Sequence, residues 1–206
     1  MRIAIIGGTF DPIHNGHLAV GRSVATTFKV DQVHFVPAFT PPHKEPRGIT
    51  SPFHRFAMVV LATMPIAHFR ASTIEVDALE KRYTVQTLEL MRQKYPGADL
   101  IFVAGTDMYE DIDTWREFRR LFELATFAIV NRPGFRFRED IFPAYSLKPN
   151  ESIDLSTNNS VFYLPFVEQP ISSTEIRADI GNTKQWLPAQ VWNYIEKNEL
   201  YTKGRH

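Results

Sequence analysis

IAIIGGTFDPIHNGHL, residues 3–18, runs from an apolar tetrad straight into two glycines, an acid and two histidines. Ile3-Ala4-Ile5-Ile6 is short, unbroken and rich in isoleucine, the pattern of a strand buried on both faces. Leu18, Gly21, Val24, Ala25 and Phe28 then recur at helical spacing, which predicts a helix over Leu18 to Phe28. A buried strand, a glycine turn and a helix make the opening unit of a parallel α/β sheet, whose ligands lie beyond the carboxyl ends of the strands. Gly7 and Gly8 have no Cβ and let the backbone come close to a ligand, and Gly16 permits a second approach where the helix begins. The free N–H groups and positive dipole end at that point suit an anion. His14 and His17, three positions apart, flank it and offer hydrogen bonds to phosphate oxygens.

The same alternation continues along the chain. Further strands are predicted at Gln32–Val36, Thr73–Val76, Leu100–Ala104, Phe127–Val130 and Val161–Phe166. Helices are predicted at Pro52–Met64, Thr84–Lys94, Trp115–Leu124, Ser173–Ile180 and Pro188–Lys197. The prolines of Phe39–Gly48 exclude regular structure there, and residues 134–160, polar and dotted with aromatics, read as a surface excursion. The expected fold is α/β, a Rossmann-like doubly wound parallel sheet with helices on both faces. One domain over 1–206 is expected, closing in a helical segment at about 172–201.

Composition narrows the function classes. The 206 residues carry 23 Lys plus Arg against 23 Asp plus Glu, so no global field draws the chain to nucleic acid or to an anionic membrane. Without cysteine there is no disulfide, thiolate nucleophile or Cys-ligated zinc, which suits the cytoplasm. The first apolar run stops at Gly7, short of the ~7–15 residues of a signal-peptide core, and no stretch approaches the ~20 of a membrane span. The expectation is a cytoplasmic chain with small-molecule partners; homo-oligomer formation is left open.

Three motifs carry chemistry. A dinucleotide fingerprint would need G-x-G-x-x-G, but Gly8 is followed by Thr9, Phe10 and Asp11. Zinc on His14 and His17 would need a third ligand and H-E-x-x-H spacing, both absent. ISSTEIR, residues 171–177, holds an S-x-x-E capping box in Ser172 and Glu175, which explains those two residues by helix capping alone. It does not explain Ser173, Thr174 and Arg177, which suit triphosphate oxygens. Pro41-Pro42-His43-Lys44 stiffens a lysine that ordinarily would be only a solvated charge.

His14-Asn15-Gly16-His17 closely resembles the H-x-G-H signature of a nucleotidyltransferase superfamily that transfers a nucleotidyl group from ATP or CTP and releases pyrophosphate. ISSTEIR and the P-P-H-K loop resemble its other two motifs. Arg82-Tyr83-Thr84-Val85-Gln86-Thr87, Gly105-Thr106-Asp107 with Thr114-Trp115, Asn131-Arg132-Pro133-Gly134 and the closing helix further resemble the nicotinate-nucleotide adenylyltransferases. Only residues 134–160 carry no such motif, and Lys81-Arg82 replace the uncharged pair usual before Tyr83.

The resemblance implies adenylyl transfer from ATP, with Mg²⁺, to nicotinate mononucleotide. It implies that His14, His17, Lys44 and Arg177 stabilise the transferring phosphate. Gly7, Gly8, Thr9, Phe10, Gly16, Gly105, Asp107, Ser173 and Thr174 would then bind ATP, and Tyr83, Thr84 and Trp115 the pyridine nucleotide. Nicotinamide mononucleotide or phosphopantetheine as acceptor, and a non-catalytic nucleotide sensor on the same fold, remain the alternatives.

Overall fold

The computed structural model describes residues 1–40, 48–141, 144–146, 161–168 and 171–202. Among these residues seven strands form one sheet: β1 (Arg2–Gly8), β2 (Gln32–Pro37), β3 (Phe69–Ala71), β4 (Asp99–Gly105), β5 (Thr126–Asn131), β6 (Ala144–Ser146) and β7 (Val161–Glu168). Their order is β3-β2-β1-β4-β5-β7-β6, and every neighbouring pair is parallel. The helices are α1 (Asn15–Phe28), α2 (Pro52–Thr63), α3 (Thr84–Lys94), α4 (Thr106–Glu110), α5 (Phe118–Leu124), α6 (Ser173–Ala178) and α7 (Ala189–Lys197). The doubly wound α/β expectation holds. β1 lies between β2 and β4, so the order reverses at its carboxyl end, where α/β sheets open a ligand crevice.

The period of two along each strand divides the core into two layers. Ala4 and Ile6 of β1, Ile101 and Val103 of β4, and Ala128 and Val130 of β5 pack with α1, α2, α6 and α7. Ile3 and Ile5, Phe102 and Ala104, and Phe127 and Ile129 pack with α3, α4 and α5 on the opposite face. Fully burying one such side chain contributes about 1.5–3 kcal/mol, which is why these strands read as unbroken apolar runs. Gly21 brings α1 onto the sheet: a Cβ there would stand 2.9 Å from the rings of both Phe35 and Phe69. No helix among the described residues is long and apolar enough to cross a membrane.

Four expectations about elements are corrected. The third strand is Phe69–Ala71, paired to Val33–Phe35, while Thr73–Val76 turns back on itself, with Asp77 N–H donating to the Thr73 carbonyl at 2.8 Å. The helix expected from Trp115 begins only at Phe118, because Glu117 sits at φ 54°, a left-handed conformation that cannot continue a helix. The expected surface excursion contributes a sheet strand, β6, beside β7. The helix from Ser173 also ends earlier, at Ala178, followed by a 3₁₀ turn at Ile180–Asn182.

Candidate active site

The loop after β1 ends at His14, the extended N-cap of α1. Its backbone N–H donates to His17 Nδ1 at 3.2 Å, which leaves the proton of a neutral His17 on Nε2. The two imidazoles lie 3.7 Å apart between centroids, and Phe10 meets His17 edge-on at 5.0 Å. His14 is fully buried, and neither ring nitrogen has a hydrogen-bond partner among the described residues. Burial, followed by the charge of Arg132, pushes the His14 pKa down to about 3 against the opposing charge of Glu175. Burial, then His14 and Arg132, hold His17 well below its ordinary value. At neutral pH both rings are uncharged, each with one N–H to donate.

α6 is stitched to this loop. Ser173 Oγ donates to the Pro12 carbonyl at 3.0 Å, and Arg177 Nη1 to the Asp11 carbonyl at 2.7 Å, with Nη2 3.4 Å from Thr174 Oγ1. The capping box forms as its sequence requires: Glu175 Oε2 accepts from Ser172 N–H at 2.7 Å, and Glu175 N–H donates to Ser172 Oγ at 3.2 Å. From the far end of the chain, Tyr201 donates its hydroxyl to Asp11 Oδ1 at 2.6 Å.

Arg55 of α2 fixes a second loop. Its side chain is fully buried and donates to four carbonyls: Nε to Thr50 at 2.9 Å, Nη1 to Thr9 at 2.6 Å, and Nη2 to Ala38 and Phe39 at 2.7 and 2.9 Å. It therefore clasps the chain on either side of residues 41–47. Lys44, expected at the phosphate, lies outside the described residues.

At the carboxyl end of β4, Asp107 Oδ2 lies 3.3 Å from Arg132 Nε, and Asp107 Oδ1 is buried with no hydrogen-bond partner among the described residues. Arg132 is placed by Thr106, whose Oγ1 accepts its N–H at 2.9 Å. Beyond it, Tyr83 caps α3, its N–H donating to Gln86 Oε1 at 3.0 Å, and Trp115 meets Phe102 edge-on at 6.4 Å. Thr87 Oγ1 donates to Glu75 Oε1 at 2.7 Å; burial raises the Glu75 pKa, opposed by that bond and by Arg82.

These groups surround one cleft of about 670 Å³, within the range of nucleotide-sized sites. Of the residues singled out in the sequence, all the described ones line it except Gly16 and Arg177. Gly16 is buried in the first turn of α1, and the Arg177 guanidinium is engaged by Asp11 and Thr174. The cleft walls also include Asp11, Glu75, Arg116 and Arg132, which sequence reading left without a role. Arg55 had a legible signal, a cation on the apolar face formed by Met58, Val59 and Ala62. Asp11 and Glu75 had none, since an isolated acid in a loop looks like any solvated acid. Among the described residues, no three His, Asp or Glu side chains are grouped to hold a metal.

A doubly wound sheet with an uncharged histidine pair, an arginine-tied helix and a long cleft at its switch point defines a nucleotide-handling α/β protein. The sequence matches the cytidylyltransferase-like family over residues 5–179. A probable nicotinate-nucleotide adenylyltransferase of Thermoanaerobacter sp. (strain X514) is 36% identical over 98% of this chain and 95% of its own. Another, from Frankia alni, is 39% identical over 95% of this chain and 98% of its own. The chain belongs to the cytidylyltransferase-like family and, within it, to the nicotinate-nucleotide adenylyltransferases. Its fold is similar to that of the Plasmodium falciparum nicotinic acid mononucleotide adenylyltransferase complexed with NaAD, with a TM-score of 0.75 at 23% identity over 100% of this chain and 99% of that one.

Proposed function

We propose that the chain transfers the adenylyl group of ATP to nicotinate mononucleotide, giving nicotinate adenine dinucleotide and pyrophosphate in NAD synthesis. The observation that carries this reading is the single cleft with two uncharged, phosphate-ready imidazoles at one end and a tyrosine–tryptophan seat at the other. An oxygen of the acceptor's 5′-phosphate attacks the α-phosphorus of ATP. The new P–O bond forms as the bond to the β-phosphate oxygen breaks, and that electron pair leaves with pyrophosphate. The nucleophile arrives ionised, so the protein supplies position and charge stabilisation.

His17 donates from Nε2, and His14 from whichever ring nitrogen bears its proton, to the α-phosphoryl oxygens as charge builds on them. Ser173 and Thr174 take the neighbouring phosphates, with Arg177 and Lys44 adding positive charge. Asp107 Oδ1 accepts from the adenosine, and Trp115 stacks on the pyridine ring. ATP would be taken as its Mg²⁺ complex, the ion offsetting phosphate charge without a cage of protein side chains to hold it. The same reading makes the chain a cytoplasmic enzyme whose partners are small nucleotides.

Pyrophosphate release with MgATP and equal concentrations of nicotinate mononucleotide, nicotinamide mononucleotide or phosphopantetheine tests it. Strong preference for the nicotinate form is the expected result. Release only with phosphopantetheine overturns the assignment of Tyr83, Thr84 and Trp115, and ATP binding without release from any acceptor makes the chain a nucleotide sensor.

A further inference from the structure

Residues 134–141 belong to the stretch without a motif, yet they fold back onto the element that forms one wall of the cleft. The chain leaves β5 through Asn131 and Arg132, which line the cleft, and turns at Pro133-Gly134, where the Phe135 N–H donates to the Arg132 carbonyl at 3.2 Å. Beyond the turn, the Phe137 ring stacks on Tyr109 of α4 at 5.0 Å with 4° between planes, and on Tyr163 of β7 at 4.6 Å with 15°. Arg138 Nη1 donates to the carbonyl of Glu110, the last residue of α4, at 2.8 Å and to Asp113 Oδ2 at 3.2 Å. Its Nη2 and Nε donate to the two oxygens of Asp140 at 2.8 and 3.2 Å, a fork that fixes the guanidinium plane.

α4 needs such contacts because of its length. It runs only from Thr106 to Glu110, little more than one turn, and so short a helix cannot hold its own shape. Arg132 ties its first turn, through the N–H on Thr106 Oγ1 and Nε beside Asp107. Phe137 packs on its buried Tyr109, and Arg138 ties its last carbonyl. Asp107 and Met108 of α4, with Asp111 and Thr114 just after it, line the cleft. The two kinds of contact differ in strength. Arg138 and Asp113 are partly exposed, and such a pair is weak in water, whereas stacked rings packed against a buried core hold more firmly.

We propose that Phe137 and Arg138 are positioning residues that hold α4, and with it Asp107, in place for the nucleotide bound at that end of the cleft. The inference rests on the adenylyl-transfer reading above and deepens it. Neither side chain lines the cleft, so each acts through α4. When α4 loosens, Asp107 Oδ1 drifts from the place where it accepts from the adenosine. The histidine pair is held by the loop after β1, which α6 and Tyr201 fasten, and does not depend on this segment. The loss therefore falls on ATP affinity rather than on the chemical step.

The experiment measures the Kd of MgATP by titration calorimetry without acceptor, and its KM and kcat with nicotinate mononucleotide. The chains compared are the wild type, Phe137→Ala, Phe137→Tyr, Arg138→Gln and Phe135→Ala, with thermal midpoints to report folding. In Phe137→Ala the Kd and KM for ATP are expected to rise about three- to tenfold, with a smaller rise in Arg138→Gln, while kcat stays near the wild-type value. Phe137→Tyr keeps the stack and should keep the affinity. Phe135→Ala alters an exposed ring of the same segment and should behave as wild type. Arg138 lies partly at the surface, so its variant carries the test where Phe137→Ala fails to fold. An ATP Kd unchanged in folded Phe137→Ala and Arg138→Gln, whatever their midpoints, makes the segment merely structural and leaves the adenylyl-transfer reading standing. A wild type that binds ATP but releases no pyrophosphate overturns the transfer reading, and the Kd comparison then decides the role of Phe137 and Arg138 alone.

Discussion

The Tyr201 hydroxyl donates to Asp11 Oδ1 at 2.6 Å across 190 positions of sequence. The same carboxylate accepts the Thr50 N–H at 3.3 Å through Oδ2, and the Asp11 carbonyl accepts from Arg177. Three distant segments thus hold one loop residue, three positions before His14. Burial, then the Asp11 charge, raises the Tyr201 pKa, so the hydroxyl remains a donor at working pH. Tyr201→Phe keeps the ring and deletes the bond. It should destabilise the fold by about 1–3 kcal/mol and lower kcat several-fold through a looser His14. Urea midpoints alongside steady-state rates check this, and an unchanged kcat would show that the bond serves stability alone.

The histidine pair makes a separate prediction. His17→Ala removes the Nε2 donor and the acceptor for the His14 N–H. By comparison with the loss of one oxyanion donor, kcat should fall ~10²–10³-fold while the chain stays folded. His17→Gln, whose amide can still donate, should retain part of the lost rate. Stopped-flow measurement of pyrophosphate release with circular dichroism separates this from unfolding, which would make His17 a structural residue.

His14 and His34 are predicted to stay neutral well below the ordinary imidazole pKa, and stability should record it. The folded-state pKa is about 3 for His14 and, through burial and the charges of Lys94 and Arg70, about 4 for His34, against an ordinary 6.5. Between those values and 6.5 the unfolded chain binds more protons than the folded one. Stability is therefore fully present above about pH 6.5 and is lost as pH falls. The loss should reach up to about 2 kcal/mol for each imidazole at about pH 5. Denaturant unfolding at about pH 7.5 and 5 measures it, and His14→Asn should flatten the slope.

The parts of this molecule legible in its sequence are those governed by burial on both faces. Ile3–Ile6, Leu100–Ala104 and Phe127–Val130 had to be strands because each supplies alternate residues to two apolar layers. β3 escaped notice because three residues at the edge of a sheet carry too little pattern, while the β-branched Thr73–Val76 carries one that local turns override. Trp115 was legible as a site residue and misleading as a helical one: its spacing to Phe118 and Phe122 mimics a helix face, and the left-handed Glu117 breaks the chain between them. Asp11 and Arg55 act through backbone carbonyls and N–H groups of remote loops, partners that no side-chain motif announces.

Gly105 separates fold from site most cleanly. It is the last residue of β4 and the N-cap of α4, and a Cβ built there would collide with the Asp107 carboxylate. The obstacle is the mobile end of a side chain, so Gly105→Ala should be accommodated by displacing Asp107, at little cost to the sheet. Displacement breaks the 3.3 Å pairing with Arg132 and removes Oδ1, the acceptor assigned to the adenosine, which has no partner among the described residues. The KM for ATP should therefore rise roughly tenfold, the equivalent of one lost hydrogen bond to a charged group, while the KM for the pyridine nucleotide changes little. Asp107→Asn, which keeps an acceptor but drops the charge, should fall between wild type and Gly105→Ala. If both variants raise the acceptor's KM and spare that of ATP, Asp107 belongs to the opposite end of the cleft from the one assigned.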